Sequence, residues 1–358
     1  MRYLVNKNQG NFYSMIGIDF GSQSIKAVAI KGKKGSFQIE QCSEVPTPKG
    51  AIMDYQIQNQ EAVTKAVGTL LKQMGAKTKY VATSVSGSNV ISKIIPVENT
   101  IDTDEALQDF ISRESESIVP FANSEEVSLD YEIVGPNLED PSKNDVLISA
   151  TKTQNIRDRD IILSECGCDV KVIDLSVHAM GRAATALVPE LANTESKVCA
   201  VVDIGAVTMT FGIMVNGEIV YSRLQSFGGD NYTQSIAHFY NVPYEEAEKM
   251  KVQERLPTDA KHDVEPQHFS MLCNQIKRNL QLYSSASNNT KVDLVVLTGG
   301  GSLVPNLADY LSNQIKKEVR HPNLLDLAPN LKTDVFKHGA KYMTALGLAL
   351  RSFEPCQI

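Results

Sequence analysis

Two kinds of apolar spacing alternate along the chain. Ile16-Gly17-Ile18-Asp19-Phe20 is a short apolar run that breaks at Gly21-Ser22-Gln23 and resumes at Ser24-Ile25-Lys26-Ala27-Val28, which predicts a strand, a tight turn and a second strand. Residues 31–35 read as the next turn and 37–42 alternate, so the chain opens with a three-stranded antiparallel meander. Over 61–74 the period lengthens: Val63, Val67, Leu70, Leu71 and Met74 share one helical face, and Gly75 closes the helix. Residues 80–85 return to strand. Ile94-Ile95-Pro96-Val97 then leads into an acidic helix over 104–117, with Ala106, Phe110, Ile111 and Ile118 expected inside. Strands are predicted at 127–134 and 145–150, on either side of a polar break at 135–143. A helix over 154–166 and a strand over 170–175 are expected to close this small α+β unit, placed at about 90–172.

The second half repeats the opening. Val198-Cys199-Ala200-Val201-Val202-Asp203-Ile204-Gly205-Ala206-Val207-Thr208-Met209-Thr210 has the same order of strand, acid, glycine, hydroxyl and strand. With Asp19 set on Asp203, Gly21 meets Gly205, Ser24 meets Thr208 and Lys26 meets Thr210, which reads as an internal duplication. Phe227-Gly228-Gly229-Asp230 starts a helix through Ile236, with Asp230 as candidate N-cap and its first N–H groups available to a ligand. Pro243 opens a further helix carrying Glu246 and Lys249 at i, i+3, a spacing that an ordinary solvated ion pair also has. Residues 257–266 read as a polar loop and 267–284 as a helix with Leu272, Ile276, Leu280 and Tyr283 inward. The buried-type strand Leu294-Val295-Val296-Leu297-Thr298 breaks into Gly299-Gly300-Gly301-Ser302, and helices are expected over 305–316 and 339–351.

These turns carry the candidate chemistry. An acid at a strand end can hold magnesium directly or through water, and the glycine and hydroxyls after it bring N–H and O–H groups to phosphate oxygens. A plain hairpin with polar turn residues would look the same in isolation; its recurrence in the second half is what favours phosphate. Only glycine lets the backbone at 299–301 pass flat against a ring or phosphate.

Composition narrows the rest. At 358 residues the chain can bury a sizeable core in two domains or one two-lobed domain. A net charge of −7 argues against non-specific nucleic-acid binding, which needs a basic face. No apolar run approaches the ~18–20 residues that span a bilayer, and residues 1–14, a basic leader with Arg2 and Lys7, lack a secretory apolar stretch, so a cytoplasmic location is expected. Cys42, Cys166, Cys168, Cys199, Cys273 and Cys356 are too scattered for a disulfide framework and read as reduced thiols; Cys166-Gly167-Cys168 has no second pair at finger spacing.

The three nucleotide-type elements, hairpin, hairpin and glycine-rich turn, resemble the actin–Hsp70–sugar kinase superfamily over most of the chain. The fold this implies is α/β, a duplicated actin/Hsp70-like two-lobed ATPase with an FtsA-like inserted α+β subdomain. Its parts would be a leader (1–14), a first lobe (15–89, 173–197 and 339–358), the insert (90–172) and a second lobe (198–338). Residues 172–175 with the helix after them, and 340–349, sit where the superfamily's two interlobe connections belong. Within the superfamily, residues 17–26, with Val202-Asp203-Ile204-Gly205-Ala206 and Phe227-Gly228-Gly229-Asp230, are similar to the type IV pilus assembly family of PilM, including Lys26, which FtsA generally lacks.

That resemblance implies ATP with Mg2+ as cofactors. Asp19 and Asp203 would orient the ion, mostly through water. Gly21, Ser22, Gln23, Ser24 and Lys26, with Gly205, Ala206 and Thr208, would cradle the phosphates, and Gly228, Gly229, Glu246, Lys249, Gly299, Gly300, Gly301 and Ser302 would surround the adenosine. Asp174 stands where better ATPases of the superfamily position water, so turnover is expected to be slow or absent. The partners implied are the cytoplasmic N-terminal tail of PilN, the PilN–PilO inner-membrane complex and the pilus assembly motor ATPases, with room for self-association and no nucleic acid. The location implied is the cytoplasmic face of the inner membrane, through these partners. Two rival readings are a small-molecule kinase of the same superfamily and an FtsA-like filament protein tethered to membrane. The first lacks a sugar-binding Asn-Asp pair; the second lacks an amphipathic basic tail.

Overall fold

The computed structural model describes residues 13–75, 77–121, 126–137, 139–188, 190–193, 197–253, 256–287, 290–322, 324–328 and 339–354. The chain divides into two units, Met1–Ala179 with Thr344–Ile358, and Met180–Met343.

In the first unit, β1 (Ile16–Phe20), β2 (Ser24–Lys33) and β3 (Ser36–Pro46) form the expected meander, longer than predicted and turning at Lys34-Gly35. A two-residue ladder, β4 (Ile52–Met53) with β5 (Gln56–Ile57), precedes α1 (Gln60–Met74). Asn59 caps α1 through its Oδ1, which accepts from Ala62 N at 3.0 Å, and Gly75 ends it in the left-handed region at φ 56°. Asn59→Ala is expected to remove about 1 kcal/mol, a fall of about 2–4 °C in thermal midpoint read by circular dichroism.

After β6 (Tyr80–Val85) come β7 (Val90–Glu98), α2 (Asp104–Ile118), β8 (Val127–Pro136) and β9 (Lys143–Lys152). These make a separate antiparallel sheet, order β7-β9-β8, on which α2 packs Leu107, Ile111 and Ile118 against Val97, Val146 and Ile148. Ala106, expected inside, is exposed, and Leu107 takes its place because the i, i+4, i+11 stripe runs through it. The sheet ends at Lys152. Helix α3 (Thr153–Glu165) and β10 (Asp169–Leu175), expected to close the insert, belong instead to the main sheet of the first unit. The reason is packing: Ile162 and Leu163 are fully buried with Val63, Val67 and Leu70 of α1, and β10 pairs in parallel with β6.

That main sheet runs β3-β2-β1-β6-β10. Its central strand β1 is covered on both faces, so Ile16 and Ile18 read as a continuous apolar run. At Gly17 a Cβ would overlap the Ala345 carbonyl oxygen, so glycine sets how close the closing helix comes.

The chain leaves the first unit within α4 (Ser176–Leu187), and α5 (Glu190–Asn193) follows. The second unit's sheet, β11 (Val198–Ile204), β12 (Met209–Val215), β13 (Glu218–Gln225), β14 (Leu294–Thr298) and β15 (Glu318–Arg320), is ordered β13-β12-β11-β14-β15. Element for element this repeats the first sheet, and the registers agree: Asp19 lies opposite Lys26, and Asp203 opposite Thr210. Around it lie α6 (Gly229–Tyr240), α7 (Tyr244–Val252), α8 (Thr258–Asp263), α9 (Glu265–Ala286) and α10 (Leu307–Ile315). Helix α8 occupies the stretch expected to be a loop. Leu272 and Ile276 of α9 and Leu307 and Leu311 of α10 close the core on Phe211, Val295 and Leu297. The chain returns to the first unit within α11 (Met343–Ala349), which 3-10 turns flank at Gly339–Tyr342 and Leu350–Phe353.

Candidate functional site

In the first unit the β1–β2 hairpin brings Asp19, Gly21, Ser22, Gln23, Ser24 and Lys26 together. The pairing of β1 with β2 sets Lys26 opposite Asp19, and its Nζ lies 3.5 Å from Asp19 Oδ2 and donates to Ser24 O at 3.2 Å. A Cβ at Gly21 would come 2.7 Å from Ser24 O and 3.0 Å from Lys26 Nζ, so glycine keeps this concavity open. Behind the turn Thr47, which sequence reasoning passed over, donates its hydroxyl to Gly21 O at 2.7 Å and its N–H to Gln23 O at 3.0 Å. The turn is therefore braced by the residue just after β3. Ser24 directs its hydroxyl toward Glu44 at 3.5 Å, and Gln23 is exposed. Asp174, at the end of β10, is 4% exposed, and its Oδ1 accepts from Leu175 N at 2.7 Å.

In the second unit two stretches distant in sequence, 228–230 and 299–301, converge on Ile204-Gly205-Ala206. Gly205 N donates to Thr208 O at 2.9 Å and closes the β11–β12 turn. Gly229 N donates to Gly205 O at 2.9 Å and Asp230 N to Ala206 O at 2.8 Å. The first N–H groups of α6, expected to face a ligand, are thus spent on the hairpin. Gly228, not Asp230, is the N-cap, with its N–H on Asn231 Oδ1 at 2.9 Å, while Asp230 accepts from the Tyr244 hydroxyl at 2.9 Å. At Gly299 and Gly301 added Cβ atoms would run into Ile204, whereas Gly300 is exposed with open space around it. Ser302 is fully buried and donates to Gly299 O at 2.7 Å, so its hydroxyl builds the turn. Thr208 is buried, and Asp203, half-buried, accepts from Thr298 Oγ1 at 2.9 Å.

Glu246 and Lys249 are not among these groups; both are exposed. The i, i+3 pair that α7 turns inward is Glu248 with Lys251, 2.7 Å apart. Lys251 Nζ also donates to Thr233 Oγ1 at 2.6 Å and to Gly229 O at 3.2 Å, and Thr233 is hydrogen-bonded to Glu248. This polar cluster lies under the two glycine turns, since a Cβ at Gly229 would be 3.6 Å from Lys251 Nζ and 3.7 Å from Gly301 Cα. Ala247 is the buried residue of this helix, and the face through 244, 247, 248 and 251 carries the second acid–base pair; Met250, equally apolar in sequence, leaves the choice of face open until the helix is packed.

His268 backs this region, fully buried, its ring stacked on Phe227 and Tyr232 at centroid distances of 5.6 and 4.7 Å. Neither ring nitrogen has a hydrogen-bond partner among the described residues, and burial, helped by the Lys251 charge, pushes its pKa down from 6.5 to about 4. Because the unfolded chain takes up this proton near pH 6.5 and the folded chain only near 4, the associated stability is complete above 6.5 and is lost as pH falls from 6.5 toward 4. A denaturant midpoint followed from pH 7 to 4 is expected to fall over that window, and less steeply in His268→Phe.

Among the described residues no group of three or more His, Cys, Asp and Glu side chains is placed to hold a metal. Magnesium fits nonetheless, because it keeps several waters and takes one or two carboxylates plus nucleotide phosphates. Asp19 in the first unit and Asp203 in the second are each such a carboxylate, at a strand end beside a glycine turn. Cys166 and Cys168 pack against the first unit's core, and burial raises both thiol pKa values.

A family model described as type IV pilus assembly protein PilM matches residues 17–353. Among solved structures, the chain is similar to that of the PilM-PilN type IV pilus biogenesis complex, with TM-score 0.83, 22% identity, and 96% of this chain and 100% of that one covered. It is also similar to MreB 5 of Spiroplasma citri bound to AMPPNP, with TM-score 0.51, 12% identity, and 94% and 95% covered. Among curated proteins it is similar to two cell division proteins FtsA of Buchnera aphidicola. The match to that of subsp. Acyrthosiphon pisum (strain APS) is 25% identical and spans 45% of each chain, under half of that relative's length. The match to that of subsp. Schizaphis graminum (strain Sg) is 21% identical and spans 93% of this chain and 89% of that one.

Proposed function

The chain belongs to the type IV pilus assembly protein PilM family and has its actin-like fold, and from that premise we propose that it is an ATP-binding scaffold for PilN. The observation that carries the nucleotide half is the repeated hairpin: one acid, at one register position, before one glycine turn, in two sheets of identical order. In this reading Asp19 and Asp203 would hold a magnesium ion through its waters, which would supply charge neutralisation at the phosphates. Lys26, Gly21, Ser22, Gln23, Ser24, Gly205, Ala206 and Thr208 meet the phosphates. Gly228, Gly229 and Gly299 to Ser302 shape the nucleoside side, and Glu248 with Lys251 holds these turns from beneath. The AMPPNP bound by the MreB 5 neighbour supports a nucleotide on this fold. Asp174, buried with one oxygen on Leu175 N, is poorly disposed to activate water, which favours slow or absent turnover.

The partner half is supported by the similarity to the solved PilM-PilN complex. The scaffold takes the cytoplasmic tail of PilN beside the inserted sheet and so joins the inner-membrane complex to the assembly motors. No helix among the described residues is long and apolar enough to cross a membrane, which fits attachment through partners.

Calorimetry with ATP, magnesium and a peptide of the PilN N-terminus tests both halves. Saturable binding of each is expected. Failure of the peptide to bind, or ATP turnover that requires a sugar, would sink the scaffold reading. Lys251→Met, which takes from Glu248, Thr233 and Gly229 O the cation that ties them together beneath the glycine turns, is expected to weaken ATP about tenfold through the loosened turns, and Lys249→Met less than about twofold. Equal effects would return the adenosine contacts to the outer face of α7.

A further inference from the structure

Arg159 of α3 is 1% exposed, a costly place for a guanidinium unless its donors are met. They are met by backbone. Nε donates to Ser84 O at 2.8 Å, Nη1 to Asn155 O at 2.9 Å and Nη2 to Tyr55 O at 2.9 Å, and the guanidinium lies 5.7 Å from the centroid of the Phe20 ring. The carboxylates that act on it are Asp158 and Asp19, and although burial lowers its pKa to about 10 it stays charged at neutral pH. Asp158 is itself held by the side-chain amides of Gln60 and Gln154, each at 2.7 Å.

What these acceptors share is location. The chain enters the insert after β6, which ends at Ser84-Val85, and leaves it from β9 into the first turn of α3, where Asn155 lies. Asn155 also donates its side-chain amide to Thr151 Oγ1 in β9 at 3.0 Å. Tyr55 sits in the β4–β5 turn, where Asp54 and Tyr55 both hold left-handed backbone, φ 46° and 60°, and Ser88 donates to Asp54 Oδ2 at 2.8 Å. Two adjacent non-glycine residues in that region persist only where surroundings fix them. Both chain crossings into the insert, a strained turn and the residue after Asp19 therefore meet at one planar cation. A flexible ammonium cannot reproduce this, because only the guanidinium presents its donors in a fixed fork.

We propose that Arg159 is a positioning residue that couples the first phosphate hairpin to the roots of the inserted sheet, so that nucleotide at Asp19 to Lys26 tightens both crossings. The proposal rests on the nucleotide reading above. Amide hydrogen exchange on the full chain, with and without ATP and magnesium, reads both ends. In the wild type, exchange is expected to slow at 19–26 and also, by at least about fivefold, at 84–88 and 151–156. In Arg159→Lys the slowing stays at the hairpin and disappears at the roots. A merely structural arginine would speed exchange throughout and leave the ratio of hairpin to root protection unchanged. Roots that do not respond in the wild type, or that respond equally in Arg159→Lys, overturn the proposal. Should Arg159→Lys not fold, Phe20→Leu keeps the three carbonyl bonds and removes the ring; loss of root protection is again expected, and its retention overturns the proposal. Nucleotide that slows exchange at the hairpin but not the roots leaves the nucleotide reading standing. Nucleotide that slows exchange nowhere overturns both.

Discussion

Asp203→Asn is expected to lower the affinity for ATP in magnesium at least about a hundredfold, some 2.8 kcal/mol, while changing the affinity for magnesium-free ATP little. Asp203 ends a strand whose preceding residues, Val198 to Val202, are all buried, so its carboxylate is fixed by the sheet rather than by solvent. Thr298 Oγ1 donates to it, and in the proposed reading its carboxylate would orient the waters of a magnesium ion, as one or two carboxylates commonly do beside nucleotide phosphates. Asparagine keeps an oxygen for the Thr298 hydroxyl, and Thr298 is itself fully buried, so stability is retained. Alanine would remove that acceptor as well and cost about 1–3 kcal/mol of folding on top of the affinity, which is why the amide is the cleaner variant. Free ATP carries its full negative charge and gains from losing a nearby carboxylate. The ratio of affinities with and without magnesium, measured by calorimetry, should therefore collapse toward one. An unchanged ratio would remove Asp203 from the ion's surroundings and leave the hairpin as sheet architecture.

The duplication was legible because it rests on backbone. An acid and a glycine must recur at one register position for two hairpins to turn alike, and Asp19 with Gly21 and Asp203 with Gly205 do so in plain sequence. What the sequence hid was orientation. Helix α7 offers two acid–base pairs at the same spacing, and only the burial of Ala247 selects Glu248 and Lys251. The α6 terminus has the composition of an anion site, yet its first N–H groups close on Gly205 and Ala206, a tertiary contact that local pattern does not encode. Helix α3 follows the insert directly in sequence, with no break in pattern to separate the two, while its apolar residues complete the core beneath β1. Arg159 escaped notice for a related reason: one arginine in Asn155-Ile156-Arg157-Asp158-Arg159 looks like its neighbour Arg157, which is exposed and pairs with Glu126.

The glycines at 299–301 make the same point at the level of single atoms. Gly299→Val is expected to abolish stable folding of the second unit, and Gly300→Ala to leave the thermal midpoint within about 2 °C of wild type. Gly299 has φ 83° and ψ 160°, a region that essentially only glycine enters, and a Cβ there would overlap the Ile204 carbonyl. Relief would require moving β11 against β14, yet Asp203 and Thr298 are register partners in that parallel pair and also share a side-chain hydrogen bond. Strain of this kind, a forbidden φ together with a clash on backbone, exceeds about 4 kcal/mol, a large part of the about 5–15 kcal/mol that holds a domain folded. Gly300 meets nothing within 4 Å and its φ is not positive, so alanine costs it neither contact nor conformation. Thermal melts followed by circular dichroism separate the two. If Gly299→Val melts like the wild type, the close approach of this turn to Ile204 is wrong. If Gly300→Ala keeps its fold but loses ATP, the open side of the turn is where the nucleotide lies, and glycine is required there for the ligand rather than for the fold.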